Sequence, residues 1–259
     1  MGRLRRFGRD WNRLAKRNPY GAILTGPTGE LQQWTPEQFF ETGQADAARF
    51  IADLTQIAPA ANRRRLLDFG CGVGRVTRAL AEHFQTAIGV DVSSAMIDRA
   101  RALNASIGNC EFVVNRPIHL KQFESASFDV VYSRLVLQHI PPHFVREYIA
   151  EFIRMLAADG VLMFQLPEEM ANEPEELFLS APVLGSGLKR SIPSPLIRLY
   201  RRIKYRFIVD ESEPTMAVFG MRRETVLKII ADSGGRLLKL KVDQSHGEAI
   251  LGFEYWVTK

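Results

Sequence analysis

A chain of 259 residues with 46% hydrophobic and 24% charged side chains has enough apolar material for one principal core with extensions, which excludes a disordered chain and a membrane-spanning one. No apolar run approaches the roughly 20 residues that a bilayer-crossing helix needs. The net charge of +5 is concentrated at the start, where residues 1–17 carry seven basic side chains and one acid; the remainder sums to about −1, so the body is not basic.

The opening stretch MGRLRRFGRDWNRLAKR is Arg-rich and lacks the apolar region of a secretory signal. Thr35, Pro36 and Glu37 supply a cap, a first-turn proline and a first-turn acid, so a helix is expected to begin there. Residues 1–60 are read as a basic arm and helical extension. From Arg64 to Leu166 short β-branched runs alternate with amphipathic stretches, the rhythm of βαβ units and a parallel sheet. Strands are predicted at 66–69, 87–90, 112–114, 128–132 and 161–164. Between them come helices over 76–84, from Ser93 or Ser94 to Leu103, and from Pro141-Pro142 to Leu156, the last ended by Asp159-Gly160. Pro167 to Gly220 holds six prolines and breaks the rhythm; it is expected to be an insertion with one helix near Leu196 to Phe207. A helix over 222–233, stopped by Gly234-Gly235, precedes two strands at 236–242 and 251–257 that a turn would pair antiparallel. The fold class predicted for residues 61–259 is therefore α/β. It is a doubly wound, mostly parallel seven-stranded sheet with helices on both faces, the last strand antiparallel, and 167–220 as a cap insertion after the fifth strand.

The two cysteines, Cys71 and Cys110, are too few for a disulfide framework, and no His/Cys cluster has zinc spacing. No metal is expected, and a reducing, cytoplasmic setting is. The segment Asp68-Phe69-Gly70-Cys71-Gly72-Val73-Gly74 ends the first strand and starts its helix. Glycines there let the backbone pass close beneath a ligand, and free amides at the helix start point at it. The spacing is G-x-G-x-G with an acid two residues ahead, not the G-x-G-x-x-G of dinucleotide binders. A carboxylate beside the turn would repel a pyrophosphate and suits a cationic ligand. Asp91 ends the second strand seventeen residues beyond Gly74, where its carboxylate can accept both hydroxyls of a ribose; the alternative is a helix cap or a surface acid.

The runs LLDFGCGVGRVTRAL, GVDVSSAMIDRA, SFDVVYSRLVLQHI and FIRMLAADGVLMFQLP, in this order, resemble the successive motifs of class I S-adenosylmethionine-dependent methyltransferases over about residues 61 to 166. The resemblance implies S-adenosyl-L-methionine as methyl donor. It implies Asp68 near the methionine ammonium, with Gly70, Cys71, Gly72 and Gly74 as the floor. Asp91 and Val92 would lie at the ribose, Met96 near the adenine, and Ser133 beside the methionine portion. The family often has an acid after the third strand to meet the adenine amino group; here Asn115 stands there. Tyr132-Ser133-Arg134-Leu135 also departs from the Asn/Asp-Pro-Pro-Tyr/Phe of many enzymes that methylate exocyclic amines of bases, which argues against a nucleic-acid adenine substrate.

Relatives with a similar N-terminal extension fold it across the donor, which would bring Phe40 and Gly43 near the ligand. His139 and His143 flank Pro141-Pro142 at the edge where ligands bind. Either is a candidate general base for a hydroxyl acceptor, the alternative being a structural residue and an exposed one. The stripe Leu196, Leu199, Tyr200, Ile203 and Phe207, ringed by arginines, fits three roles: packing on its own domain, closing over an anionic acceptor, or lying on an anionic membrane through 196–207. The function expected is methyl transfer to a small or medium-sized acceptor, with O-methylation slightly favoured. The rivals are a donor-binding accessory protein without turnover and a nucleic-acid-modifying enzyme that uses the basic arm.

Overall fold

The computed structural model describes residues 2–24, 33–115, 120–168, 177–178, 217–243 and 251–259. Three helices come first: α1 (Gly2–Arg17), α2 (Pro19–Ile23) and α3 (Pro36–Ile57). The α3 start is the expected one. Thr35 Oγ1 accepts from the Gln38 amide while the Gln38 side chain accepts from the Thr35 amide, and Pro36 follows the cap. α1 is a regular helix within residues 1–60, which the sequence marks as a basic arm and helical extension.

Seven strands make the main sheet: β1 (Arg65–Phe69), β2 (Thr86–Asp91), β3 (Cys110–Val114), β4 (Phe128–Ser133), β5 (Leu156–Pro167), β6 (Arg236–Asp243) and β7 (Gly252–Thr258). Their spatial order is β3-β2-β1-β4-β5-β7-β6. β1 to β5 run parallel, and β7 is antiparallel to both β5 and β6, as expected. The crossover helices are α4 (Arg75–Leu80), α5 (Ser94–Leu103), α6 (Pro142–Met155) and α7 (Arg223–Asp232). A two-residue ladder, Leu177–Phe178 against Ala217–Val218, lies apart from the main sheet. The predicted helix over 196–207 lies outside the described residues.

Two elements differ from expectation. The helix over 76–84 stops at Leu80 and tightens into a single 3₁₀ turn, Ala81–His83. α6 ends at Met155, so Asp159-Gly160 does not stop it. These residues form an irregularity inside β5, between the pairs Phe128↔Leu156 and Val130↔Val161. Asp159 adopts φ 59°, and a Cβ on Gly160 would meet the Ala157 carbonyl oxygen at 2.9 Å, so this stretch bends within the strand.

Strand alternation builds the two cores. Leu67, Val131 and Leu162 face α6 and α7, joined by Phe128, Phe152 and Ile229. Leu66, Val130 and Tyr132 face the opposite way, toward α3 and α4. On that second face Phe50 of α3 stacks on the buried Trp256 at 5.3 Å and meets Tyr132 edge-on at 4.9 Å. α3 is thereby fixed across the middle of the sheet, over β4 and β7.

Candidate ligand site at the carboxyl edge of the sheet

The chain leaves β1 and β4 in opposite directions, β1 leading to β2 and β3 and β4 to β5. Between them lies the topological switch point where α/β sheets open a crevice. The glycine turn after β1 lies on this edge. Gly70, Gly72 and Gly74 have φ of 81°, 54° and 82°, a region closed to other residues without strain. The amides of Gly70 and Cys71 both donate to the Val90 carbonyl, at 2.7 and 3.1 Å, so the turn folds back on the end of β2. The Val136 side chain, from the turn after β4, packs against Gly70 where a Cβ would stand, and the Ile23 side chain lies 2.5 Å from the Cβ position of Gly72.

Asp68 and Asp91 are held at the carboxyl ends of the adjacent strands β1 and β2. Asp68 is 4% exposed and accepts from Thr77 Oγ1, in the first turn of α4, at 2.6 Å. Burial raises its carboxyl to about 6; the Thr77 hydrogen bond and the charge of Arg75 pull the other way, and the charge of Asp91 adds to the rise. Asp91 accepts from the Gly72 amide at 3.0 Å and the Ser93 amide at 2.8 Å, and burial likewise raises it to about 6. Its carboxylate therefore ties the glycine turn to β2. The cap of α5 is Ser93, whose Oγ accepts from the Met96 amide at 3.2 Å. Cys71 is buried, its thiol pushed well up by burial, which makes it a floor residue and a poor nucleophile.

Of the other residues named from sequence, Ser133 is buried and donates from Oγ to the Phe69 carbonyl at 3.2 Å, joining β4 to β1. The Asn115 amide donates to the Asp91 carbonyl, and its side chain accepts from Gln122 at 3.1 Å. Val92 stands 3.3 Å from the Cβ position of Gly8 in α1. Met96 is buried among Leu14, Phe39 and Val73. Phe40 lies beneath the Arg78 guanidinium at 4.4 Å, and Gly43 packs directly on the Arg75 carbonyl. His139 is half-buried in the 3₁₀ turn after β4, 5.3 Å edge-on from the Trp11 ring; His143 is exposed at the start of α6. The two histidines and the glycine turn thus lie on elements at the same edge.

Several residues at this edge carry no recognisable sequence signal. Asn12 of α1 accepts from Ser93 Oγ at 2.8 Å and the Ala95 amide at 3.0 Å, which docks α1 onto the start of α5. Only the dipeptide Trp11-Asn12 within a basic stretch marks this contact, and its partner lies far along the chain. The segment after β5 also returns to this edge. Phe219 donates its amide to the Gln138 carbonyl at 2.6 Å, and Met221 to that of Pro167 at 3.0 Å.

The charge set suits a cationic ligand. Two carboxylates, raised toward neutrality by burial, flank a floor that only glycine can form, and a positive ligand would recover the cost of ionising them.

Residues 67–164 match a family model described as a methyltransferase domain. Among curated relatives, the trans-aconitate 2-methyltransferase of Deinococcus radiodurans is 33% identical over 136 residues, 52% of this chain and 49% of the relative. The 24-methylenesterol C-methyltransferase 2 of Oryza sativa subsp. japonica is 36% identical over 115 residues, 43% of this chain and 30% of the relative. The chain thus spans about half or less of the length of these relatives. Among solved structures, a Haemonchus contortus phosphoethanolamine N-methyltransferase 1 in complex with phosphoethanolamine and S-adenosylhomocysteine superposes with a TM-score of 0.60 at 17% identity, over 99% of this chain and 49% of that one; this likeness speaks for the fold. Over residues 67–164 the chain thus matches a methyltransferase domain, on a fold it shares with solved methyltransferases.

Proposed function

We propose that the protein transfers a methyl group from S-adenosyl-L-methionine to a small or medium-sized acceptor, with a hydroxyl oxygen favoured over nitrogen or carbon. The observation that carries this reading is the pair of carboxylates, the buried Asp68 and the partly buried Asp91, on either side of the glycine floor. In it Asp68 pairs with the ammonium of the methionine portion and Asp91 accepts from the ribose hydroxyls. Val92, Met96 and Asn115 bound the adenine side, and Ser133 the methionine side. Phe40 and Gly43 belong to the wall built by α3. The donor supplies a methyl group already activated on a sulfonium.

The protein's task is to hold that methyl in line with the acceptor and to exclude water, and positioning of this kind can supply much of the acceleration. For a hydroxyl acceptor a base is useful, and His139, on the turn after β4, is better placed for it than the exposed His143. The named relatives support small acceptors without fixing the atom, since one is a C-methyltransferase and another an N-methyltransferase by name.

Calorimetry with S-adenosylhomocysteine, followed by transfer of labelled methyl to a panel of hydroxy acids, amines and carboxylic acids, tests the reading. Micromolar uptake of the demethylated donor with transfer to one acceptor class is the expected outcome. A folded protein that takes up no S-adenosylhomocysteine refutes it.

A further inference from the structure

We propose that Asp46 of α3 is a positioning residue of the ligand crevice, acting by holding together the two chain segments that leave β1 and β4. The inference rests on the function proposed above and deepens it. Asp46 uses both carboxylate oxygens. Oδ2 pairs with Arg75 at 2.7 Å, and Oδ1 pairs with Arg134 at 3.2 Å. Arg75 is the first residue of α4, directly after Gly74, and Arg134 directly follows Ser133 at the end of β4. The strands before them are neighbours at the switch point, so this one carboxylate bridges the two sides of the crevice.

Each arm leads to the floor. On the first, Arg75 begins the helix that carries Thr77, the residue that holds Asp68. Arg75 is further fixed by a hydrogen bond to Thr42 Oγ1 at 3.0 Å and by the packing of Gly43 on its carbonyl. On the second, Arg134 is followed by Leu135 at φ 61°, a conformation costly for a branched side chain, and then by Val136, which packs on Gly70. The strained turn is pinned on both sides. The Leu135 amide donates to Gln165 Oε1 at 3.3 Å, while Arg134 also lies 3.6 Å from both Asp243 and Glu254. Arg75, Arg134, Asp243 and Glu254 are all nearly buried, so their charges are poorly screened and their geometry is strict. Arg49, one turn beyond Asp46 on α3, completes the set on Glu254 at 2.9 Å.

Calorimetric affinity for S-adenosylhomocysteine is measured on the full chain for Asp46→Asn, Asp46→Glu, Arg134→Lys and Asp53→Asn, with circular dichroism to verify folding. Asp53 is the control: it sits two turns further along α3 and pairs with Lys241 at 2.6 Å, away from the glycine turn. Asp46→Asn and Arg134→Lys are expected to weaken binding at least tenfold. Asp46→Glu, which keeps the charge, should return to within threefold of the parent, and Asp53→Asn should stay within twofold. If Asp46→Asn does not fold, Arg134→Lys decides. Affinities of the folded Asp46 and Arg134 variants within twofold of the parent overturn the proposal, as does equal weakening by Asp53→Asn. A parent that does not bind removes the function reading and this inference with it, whereas a binding parent with unresponsive variants removes the inference alone.

Discussion

The protonation of Asp68 gives the donor site a pH signature that can be worked out in advance. Burial raises this carboxyl from 3.8 to about 6, so the folded protein binds a proton more tightly than the unfolded chain does. The sign follows from linkage: between about pH 4 and 6 the folded state holds the extra proton, and stability falls as pH rises through that window. The shift corresponds to about 3 kcal/mol lost by pH 7 relative to pH below 4. Donor binding runs the other way, because only the ionised carboxylate pairs with an ammonium. About one Asp68 in ten is ionised at pH 5 and about nine in ten at pH 7, so affinity should strengthen about tenfold over that range. The ligand's α-amino group stays largely protonated throughout it. Titration calorimetry of S-adenosylhomocysteine at pH 5, 6 and 7 measures this, beside thermal unfolding of the free protein. Asp68→Asn should unfold later than the parent at pH 7, by up to about 3 kcal/mol, and should bind weakly with a shallower pH slope; the slope that remains belongs to Asp91. An affinity constant within twofold from pH 5 to 7, or an identical slope in Asp68→Asn, would refute the reasoning.

Gly70→Ala places a Cβ on the Val136 side chain at φ 81°; it should cost about 1–3 kcal/mol in stability and weaken S-adenosylhomocysteine binding more than tenfold by calorimetry. Asp129→Ala acts at the opposite end of β1. It orphans the Arg64 and Arg65 amides, which now donate to the buried Asp129 at 3.0 and 2.9 Å, and should lower stability by about 2–3 kcal/mol in urea unfolding with donor affinity unchanged. Once a hydroxyl acceptor is found, His139→Gln should slow methyl transfer on the order of 100-fold while His143→Gln leaves it near parent. Equal rates for His139→Gln and parent in a single-turnover assay would remove the general-base role.

The sheet was legible because its signals are local. Leu66-Leu67-Asp68-Phe69 and Phe128-Asp129-Val130-Val131-Tyr132 are buried on both faces and read as mostly apolar runs with a single acid each, and Thr35, Ser93 and Pro142 mark helix starts within a few residues of where they act. Asp68 and Asp91, the carboxylates proposed for the site, stand out for the same reason, since each lies at the end of a strand beside a glycine or a cap. Asp159-Gly160 misled because a Gly after an acid is also how a bend inside a strand is made, and the choice depends on its neighbour β4. Asp46, Arg75 and Arg134 are separated by 29 to 88 positions and look like ordinary surface charges on amphipathic segments. Their pairing follows from where α3 crosses the sheet, which Phe50 and Trp256 decide by stacking. That is tertiary information, absent from any window of sequence.

Donor and acceptor are framed by different parts of the chain, and their sequence patterns differ accordingly. In the proposed function the donor side, between β1 and β2, is built from one compact stretch with fixed offsets. The acceptor side of that proposal lies beyond β4. Its described frame consists of His139 and the Gln138 carbonyl that holds Phe219, with the Pro167 carbonyl that holds Met221. The segment between Pro167 and Phe219 therefore both leaves and returns beside the same 3₁₀ turn, and its two ends are anchored by backbone hydrogen bonds that do not depend on side-chain identity. The motifs around residues 67–164 match a methyltransferase domain, and a fold of this kind does not by itself identify what is methylated.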